Sequence, residues 1–316
     1  MAIDPAHVIN SRLSLSLASF TGQLAPTWLG YGIARRIADQ IATRREWKLV
    51  RAVRANQWVV SDRELEGEAL ESAVSKTFEN IARSVYDLYH FITDARAIRR
   101  LVELDEAAEF LLGYKDGFGE RGAMVAGVHL CGGDLVIQAL SRLGFKAMWL
   151  TLPELRGGYR DQYEMRRRSG MEVLAPSFGV LRRAVKHLRA GGIVVTGIDR
   201  PVPVSGQRPQ FFGRPAPLPM HYIHLAMQAQ VPVTVMAPML LPSGRYRVTM
   251  REPLEVQPAA AHGSALRGAA EAVLKVAESV IREVPQQWAM TLPVWPEALQ
   301  EMPQGGGRRE SGAVRP

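Results

Sequence analysis

A histidine at the end of an apolar run, with an aspartate five residues further on, is the pair in this chain best suited to acid–base work. Residues 123–134 read Ala-Met-Val-Ala-Gly-Val-His-Leu-Cys-Gly-Gly-Asp. The run from Ala123 to Val128 reads as a buried strand, and His129 stands where it stops. Asp134 stands where the next segment begins to place apolar side chains at helical spacing. Imidazole titrates near neutral pH, so His129 is suited to take a proton from a hydroxyl. A carboxylate on the other ring nitrogen would fix the tautomer and stabilise the imidazolium that forms. Asp134 also fits a helix N-cap, so a structural role stands beside the catalytic one. Cys131 offers a thiol between them, but on a glycine-flanked loop a packed thiol is the better reading.

Asp199-Arg200 is a second candidate, at the end of the apolar run Ile193–Ile198, and strand ends are where α/β sheets place ligands. It leads into a Pro/Gly-rich loop containing Arg208, Phe211, Phe212, Gly213 and Arg214. Arg200, Arg208 and Arg214 offer guanidinium forks that suit phosphate or pyrophosphate. Phe211-Phe212 reads either as the wall of an acyl channel or as core. No Gly-Lys-Ser/Thr ending is present, so this is not a P-loop. Arg166-Arg167-Arg168 closes a basic helix; it either meets the helix dipole or contacts a headgroup or cofactor phosphate.

The elements that must hold these residues read as an α/β fold: a central, mostly parallel or mixed sheet flanked by helices, with an N-terminal helical region. Short apolar runs at 98–104, 124–128, 146–152, 172–175 and 193–198 alternate with helical patterns at 106–112, 135–143, 158–168 and 179–189. After the loop come a helix at 220–230, a hairpin of 232–241 with 245–252, and an amphipathic helix at 264–283. Residues 27–95 read as helices, clearest from Glu71 to Ile92, where Val74, Phe78, Ile81, Val85, Leu88 and Ile92 recur at three- and four-residue steps. The expected division is an N-terminal helical, membrane-associating region (1–97), the α/β domain (98–300) and a tail with nothing to bury (301–316).

Composition narrows the function classes. The chain has 316 residues, 47% of them hydrophobic, enough for a large core. One cysteine rules out an internal disulfide and a Cys-rich metal site. A formal charge of +8 suits anionic lipid headgroups, an acidic carrier or nucleic acid. No helix-turn-helix, zinc-finger or single-strand-binding signature accompanies it, so nucleic acid is not expected. The stretch Leu13–Ala34 is apolar but interrupted, short of the roughly 20 strongly apolar residues of a spanning helix. With Trp28, Tyr31 and the pair Arg35-Arg36, it reads equally as an interfacial segment and as a helix packed on the main domain.

In order and spacing the chain resembles the lipid A biosynthesis lauroyl/myristoyl acyltransferases and the related phosphatidylinositol mannoside acyltransferases. The resemblance covers roughly residues 45–295. It is carried by His129 and Asp134 in a His-x-x-x-x-Asp motif, by Arg166 in Arg-x-x-x-Gly-Met-Glu-Val-Leu, and by Leu188-Arg-Ala-Gly-Gly-Ile-Val-Val before Asp199-Arg200. Phe211-Phe212-Gly213 and Pro285-Gln-Gln-Trp288 complete it. The resemblance implies transfer of a fatty acyl chain from an acyl thioester, on acyl carrier protein or coenzyme A, to a hydroxyl of a membrane lipid or glycolipid. His129 would be the general base, with Asp134 holding it. Arg166, Asp199, Arg200, Arg208, Phe211, Phe212 and Arg214 would contact donor or acceptor. No metal and no cofactor would be needed, and the protein would sit at the cytoplasmic face of the inner membrane. A catalytically inactive lipid- or carrier-binding relative is the alternative.

Overall fold

A computed structural model describes residues 26–91, 93–106, 108–109, 121–151, 158–202, 206–256 and 263–303. Much of the stretch Leu13–Ala34, most of the expected helix at 106–112 and the tail beyond 303 lie outside the described residues.

Three helices open the described chain: α1 (Thr27–Ala42), α2 (Lys48–Val60) and α3 (Gly67–Phe91). A short α4 (Ala95–Leu101) leads into the first strand, β1 (Val102–Leu104). The expected strand at 98–104 is therefore helix for its first half. Asp94 caps that helix by accepting from the backbone N–H groups of Arg96 and Ala97, which outweighs the β-branched residues that follow. Next come β2 (Ala123–Gly127), α5 (Gly133–Arg142), β3 (Met148–Leu150), α6 (Gly158–Arg168), β4 (Glu172–Leu174), α7 (Phe178–Arg189) and β5 (Ile193–Gly197). A two-residue ribbon, β6 (Gln210–Phe211) with β7 (Arg214–Pro215), interrupts the loop before α8 (His221–Ala229). The chain then forms β8 (Val233–Leu240), β9 (Tyr246–Met250), α9 (Ser264–Glu283), a 3-10 turn at Pro285–Gln287 and α10 (Ala298–Glu301).

Seven strands form one sheet in the order β1-β9-β8-β2-β5-β3-β4. Every pairing is parallel except the β8–β9 hairpin. Both faces are covered, which is why the central strands are almost wholly apolar, with Thr196 and Thr234 as buried polar exceptions. Met124, Ala126 and Val194 face one buried cluster, while Val125, Ile193 and Val195 face the other. Each fully buried Val or Leu contributes about 1.5–3 kcal/mol, so the two central strands are firmly seated. The N-terminal helices share the first cluster: Ala38, Val50, Trp58 and Phe78 pack in it with Met124 and Leu188.

Candidate active site

Strand register builds the site. Parallel β2 and β5 align Ala123 with Ile193 and Gly127 with Gly197. The same offset, continued two residues past both strands, sets His129 beside Asp199 at the carboxyl edge of the sheet. The Ile198 N–H still donates to Gly127 O at 3.1 Å, so the strands have not parted where the site begins.

The imidazole Nδ1 of His129 is hydrogen-bonded to Asp199 Oδ1. Asp199 Oδ2 accepts two further bonds, from the His129 backbone N–H at 2.9 Å and from the Trp288 indole N–H at 2.7 Å. The carboxylate is wholly buried. Burial alone would raise its pKa, but the His129 charge and the bonds from His129 and Trp288 outweigh it and hold the group below its ordinary value. Asp199 is therefore an ionised acceptor, so in the neutral imidazole the proton sits on Nδ1 and Nε2 keeps its lone pair. Nε2 makes no hydrogen bond among the described residues, and the His129 side chain is 39% exposed. Gly197 makes room for the ring: a Cβ there would overlap the imidazole.

Asp134 does not hold the imidazole nitrogen. It lies in the first turn of α5, where Arg166, from the last turn of α6, donates its Nε to Oδ1 at 2.7 Å. The helix it opens carries its side chain away from Nδ1 and toward the basic end of α6. The expected N-cap role falls instead to Gly132, in the left-handed conformation at φ 84°. That glycine also admits the Tyr246 ring, which a Cβ would overlap.

The remaining candidates divide. Arg200 follows Asp199 at the same edge and is half-buried. Arg208 and Arg214, expected to bind anions, are paired with acids of the C-terminal segment. Arg208 donates to Glu297 at 2.8 Å, and Arg214 makes two bonds to Glu301 at 2.7 and 2.5 Å. Phe211 and Phe212 are buried in an aromatic cluster with Trp288 and Trp295, the packing that the core reading of the pair describes. Cys131 is a buried thiol whose pKa burial pushes up to about 12. Among the described residues, no group of three or more His, Cys, Asp or Glu is arranged to hold a metal ion.

A histidine at a strand end, backed by a buried carboxylate and open at Nε2, is the arrangement that deprotonates a hydroxyl. The family model for the bacterial lipid A biosynthesis acyltransferase matches residues 33–297 of this chain. The chain belongs to that family. Among curated proteins no match is found. In this member of the lipid A acyltransferase family the match takes in most of α1, all of α2 and α3, and the α/β sheet. No helix among the described residues is long and apolar enough to cross a membrane.

Two features of the site are not visible in the sequence. Asp199 reads there as a ligand-binding residue, and strand pairing makes it the partner of His129. Trp288 reads there only as part of a closing motif. Pairing Asp199 with His129 requires knowing that β2 and β5 are neighbours, at which the shared pattern of Val125-Ala-Gly-Val-His129 and Val195-Thr-Gly-Ile-Asp199 hints.

Proposed function

We propose that this acyltransferase moves a fatty acyl chain from an acyl thioester, carried on acyl carrier protein or coenzyme A, to a hydroxyl of a membrane lipid or glycolipid. His129 is the general base, and Asp199 orients it. The observation that carries the reading is the His129–Asp199 pair, with Nδ1 engaged and Nε2 open at the sheet edge.

In the reaction, Nε2 takes the acceptor hydroxyl proton as the oxygen attacks the thioester carbonyl carbon. The tetrahedral intermediate collapses by breaking the C–S bond, and Nε2–H returns the proton to the departing thiolate. Proton and electron pairs balance without an acyl-enzyme. Cys131 is no competitor as nucleophile, because its buried thiol stays protonated at neutral pH.

The charge of +8 complements the phosphopantetheine, the acidic carrier and an anionic bilayer alike. Attachment is peripheral, at the cytoplasmic face of the inner membrane, through α1. Its outer face exposes Trp28, Leu29, Ile33 and Ile37 beside Arg35 and Arg36.

The test offers the purified protein lauroyl and palmitoyl thioesters of coenzyme A and of acyl carrier protein, together with extracted bacterial membrane lipid. Mass spectrometry then reports any lipid that gains one acyl group. His129→Ala is expected to abolish that gain while the protein stays folded. Transfer at the parental rate by His129→Ala would remove the base assignment.

A further inference from the structure

We propose that Trp288 is a positioning residue for the His129–Asp199 pair, its indole N–H holding the buried carboxylate in the plane that keeps Nδ1 protonated and Nε2 facing the acceptor. The proposal rests on the reading of His129 as the base, and it adds a residue 89 positions from Asp199 in the chain.

The argument begins with what a carboxylate needs. Asp199 can rotate about its last side-chain bond, so one bond from Oδ1 to the imidazole leaves its plane free. Oδ2 supplies the second anchor through His129 N and Trp288 Nε1, at 2.9 and 2.7 Å. An indole N–H is a donor only. Aimed at Oδ2, it favours the bare anion and opposes a proton on that oxygen, so the shared proton stays on Nδ1. A hydroxyl or amide in the same place could turn to accept instead and would enforce nothing.

The indole is itself fixed. Its ring packs against Phe211, Phe212 and Trp295, with centroids 6.1, 6.4 and 6.1 Å away, and the residue is 1% exposed. Its backbone runs along the His129 loop: Leu130 bridges Trp288, Ala289 N donates to His129 O at 2.9 Å, and Cys131 N donates to Gln287 O at 2.8 Å. From the other side, the N-terminal helices grip the same strap. Gln57 donates to Pro285 O at 2.8 Å, Asn80 to Gln286 O at 3.0 Å, and Asn56 to Met290 O and Leu292 O at 2.9 Å each. The strap thus fastens the histidine's own backbone and its carboxylate at once. That is the assembly expected of a device that sets geometry, since a misplacement of 1 Å can cost about a hundredfold in rate.

The test uses the full chain with two replacements. Trp288→Phe keeps an aromatic ring, and β-(3-benzothienyl)alanine placed at Trp288 keeps the bicyclic shape with sulfur in place of N–H. The first readout is the far-downfield proton resonance of His129 Nδ1–H, assigned by its loss in His129→Ala. The second is acyl transfer from lauroyl-coenzyme A and lauroyl-acyl carrier protein to extracted membrane lipid. Both replacements are expected to shift or broaden the resonance. They are also expected to lower kcat by about ten- to a hundredfold at unchanged KM for the thioester, and to move the acid limb of the kcat profile to higher pH. A parental resonance, kcat and acid limb in the benzothienyl protein would overturn the proposal. The resonance needs no acyl transfer, so a moved resonance beside a fully active His129→Ala would leave the positioning role standing and remove the base reading alone.

Discussion

Arg166 Nε donates to Asp134 Oδ1 across 2.7 Å and ties the last turn of α6 to the first turn of α5. The two side chains are 24% and 23% exposed, so solvent screens the pair. Its worth is about 0–1 kcal/mol. Asp199, by contrast, is wholly buried and bonded to the imidazole. Asp199→Asn would present an amide N–H to Nδ1 and force the opposite tautomer, costing roughly a thousand- to ten-thousandfold in kcat. Asp134→Asn removes only a partly exposed charge pair and is expected to lower kcat by about tenfold or less. Steady-state kinetics of the two variants side by side decide the matter. Equal losses would mean that Asp134 reaches the imidazole in the reacting complex.

That contrast also shows what spacing along the chain can reveal. The central strands were legible because apolar runs bounded by glycines have few other uses in a globular chain, and the helix at Ser264–Glu283 follows its own periodicity. The hairpin of β8 and β9 was marked by Pro-Ser-Gly between two apolar runs. His129 was legible as the terminus of such a run. Its partner was not, because Asp199 lies 70 residues away and becomes a neighbour only through strand order. A local rule instead pointed to Asp134, five residues away, which the helix start turns aside. The β6–β7 ribbon was hidden for a different reason. Its turn places Phe212 at φ 50° before Gly213 at φ 67°, and a phenylalanine in the left-handed region is not anticipated from propensity. Burial of its ring among Trp288, Trp295 and the Arg282 guanidinium compensates that strain.

Cys131 provides a check on the reaction class. Its thiol is 1% exposed, and burial pushes its pKa up to about 12. Alkylation by iodoacetamide at pH 8 is therefore expected to be negligible in the folded protein and complete once urea unfolds it. Cys131→Ala should transfer acyl chains within about threefold of the parent, since deleting one small buried group costs about 1 kcal/mol or so of packing and no chemistry. Loss of activity in a folded Cys131→Ala protein would revive a thioester intermediate.

Asp87 predicts a pH signature in stability. It is a buried carboxyl on α3 that accepts from Tyr31 Oη at 2.8 Å and from Tyr246 Oη at 2.6 Å. Burial raises its pKa above the ordinary 3.8, against the opposing pull of the two tyrosine bonds, Arg83 and His90. As pH rises past 3.8, the unfolded chain gives up this proton before the folded one does, so the fold loses stability until the native carboxyl also ionises. The sign is opposite to that of Asp199, whose depressed pKa contributes stability above 3.8 that is lost as pH falls through its folded value. Asp87→Asn removes the first effect and leaves the second. The Tm of the parent, measured against Asp87→Asn, is expected to fall as pH rises from 3.8 toward neutrality. A constant gap across that range would place the Asp87 pKa at its unfolded value.

The outer face of α1 is the remaining feature with a measurable consequence. Its inner face is built of small residues, Gly30, Ala34, Ala38 and Ala42, which let the helix lie close on α3. Its outer face leaves Trp28 74% exposed, Ile33 47% and Ile37 50%. Inserting one such side chain fully into an apolar phase gains about 1.5–3 kcal/mol, so even partial insertion of three is worth more than the neighbouring charges. The combined variant Trp28→Ser, Ile33→Ser, Ile37→Ser is expected to bind phosphatidylglycerol vesicles about a hundredfold more weakly in sedimentation. The His129 Nδ1–H resonance should stay in place, because the stripe lies outside the site. Salt separates the two contributions: raising ionic strength to about 1 M shortens the Debye length to about 3 Å and suppresses the pull of Arg35 and Arg36, but it leaves apolar insertion intact. Parental protein should therefore keep part of its binding at high salt, and the triple variant should keep none. Vesicle binding by the variant that equals the parent's at both salt levels would mean that the bilayer is met by another face.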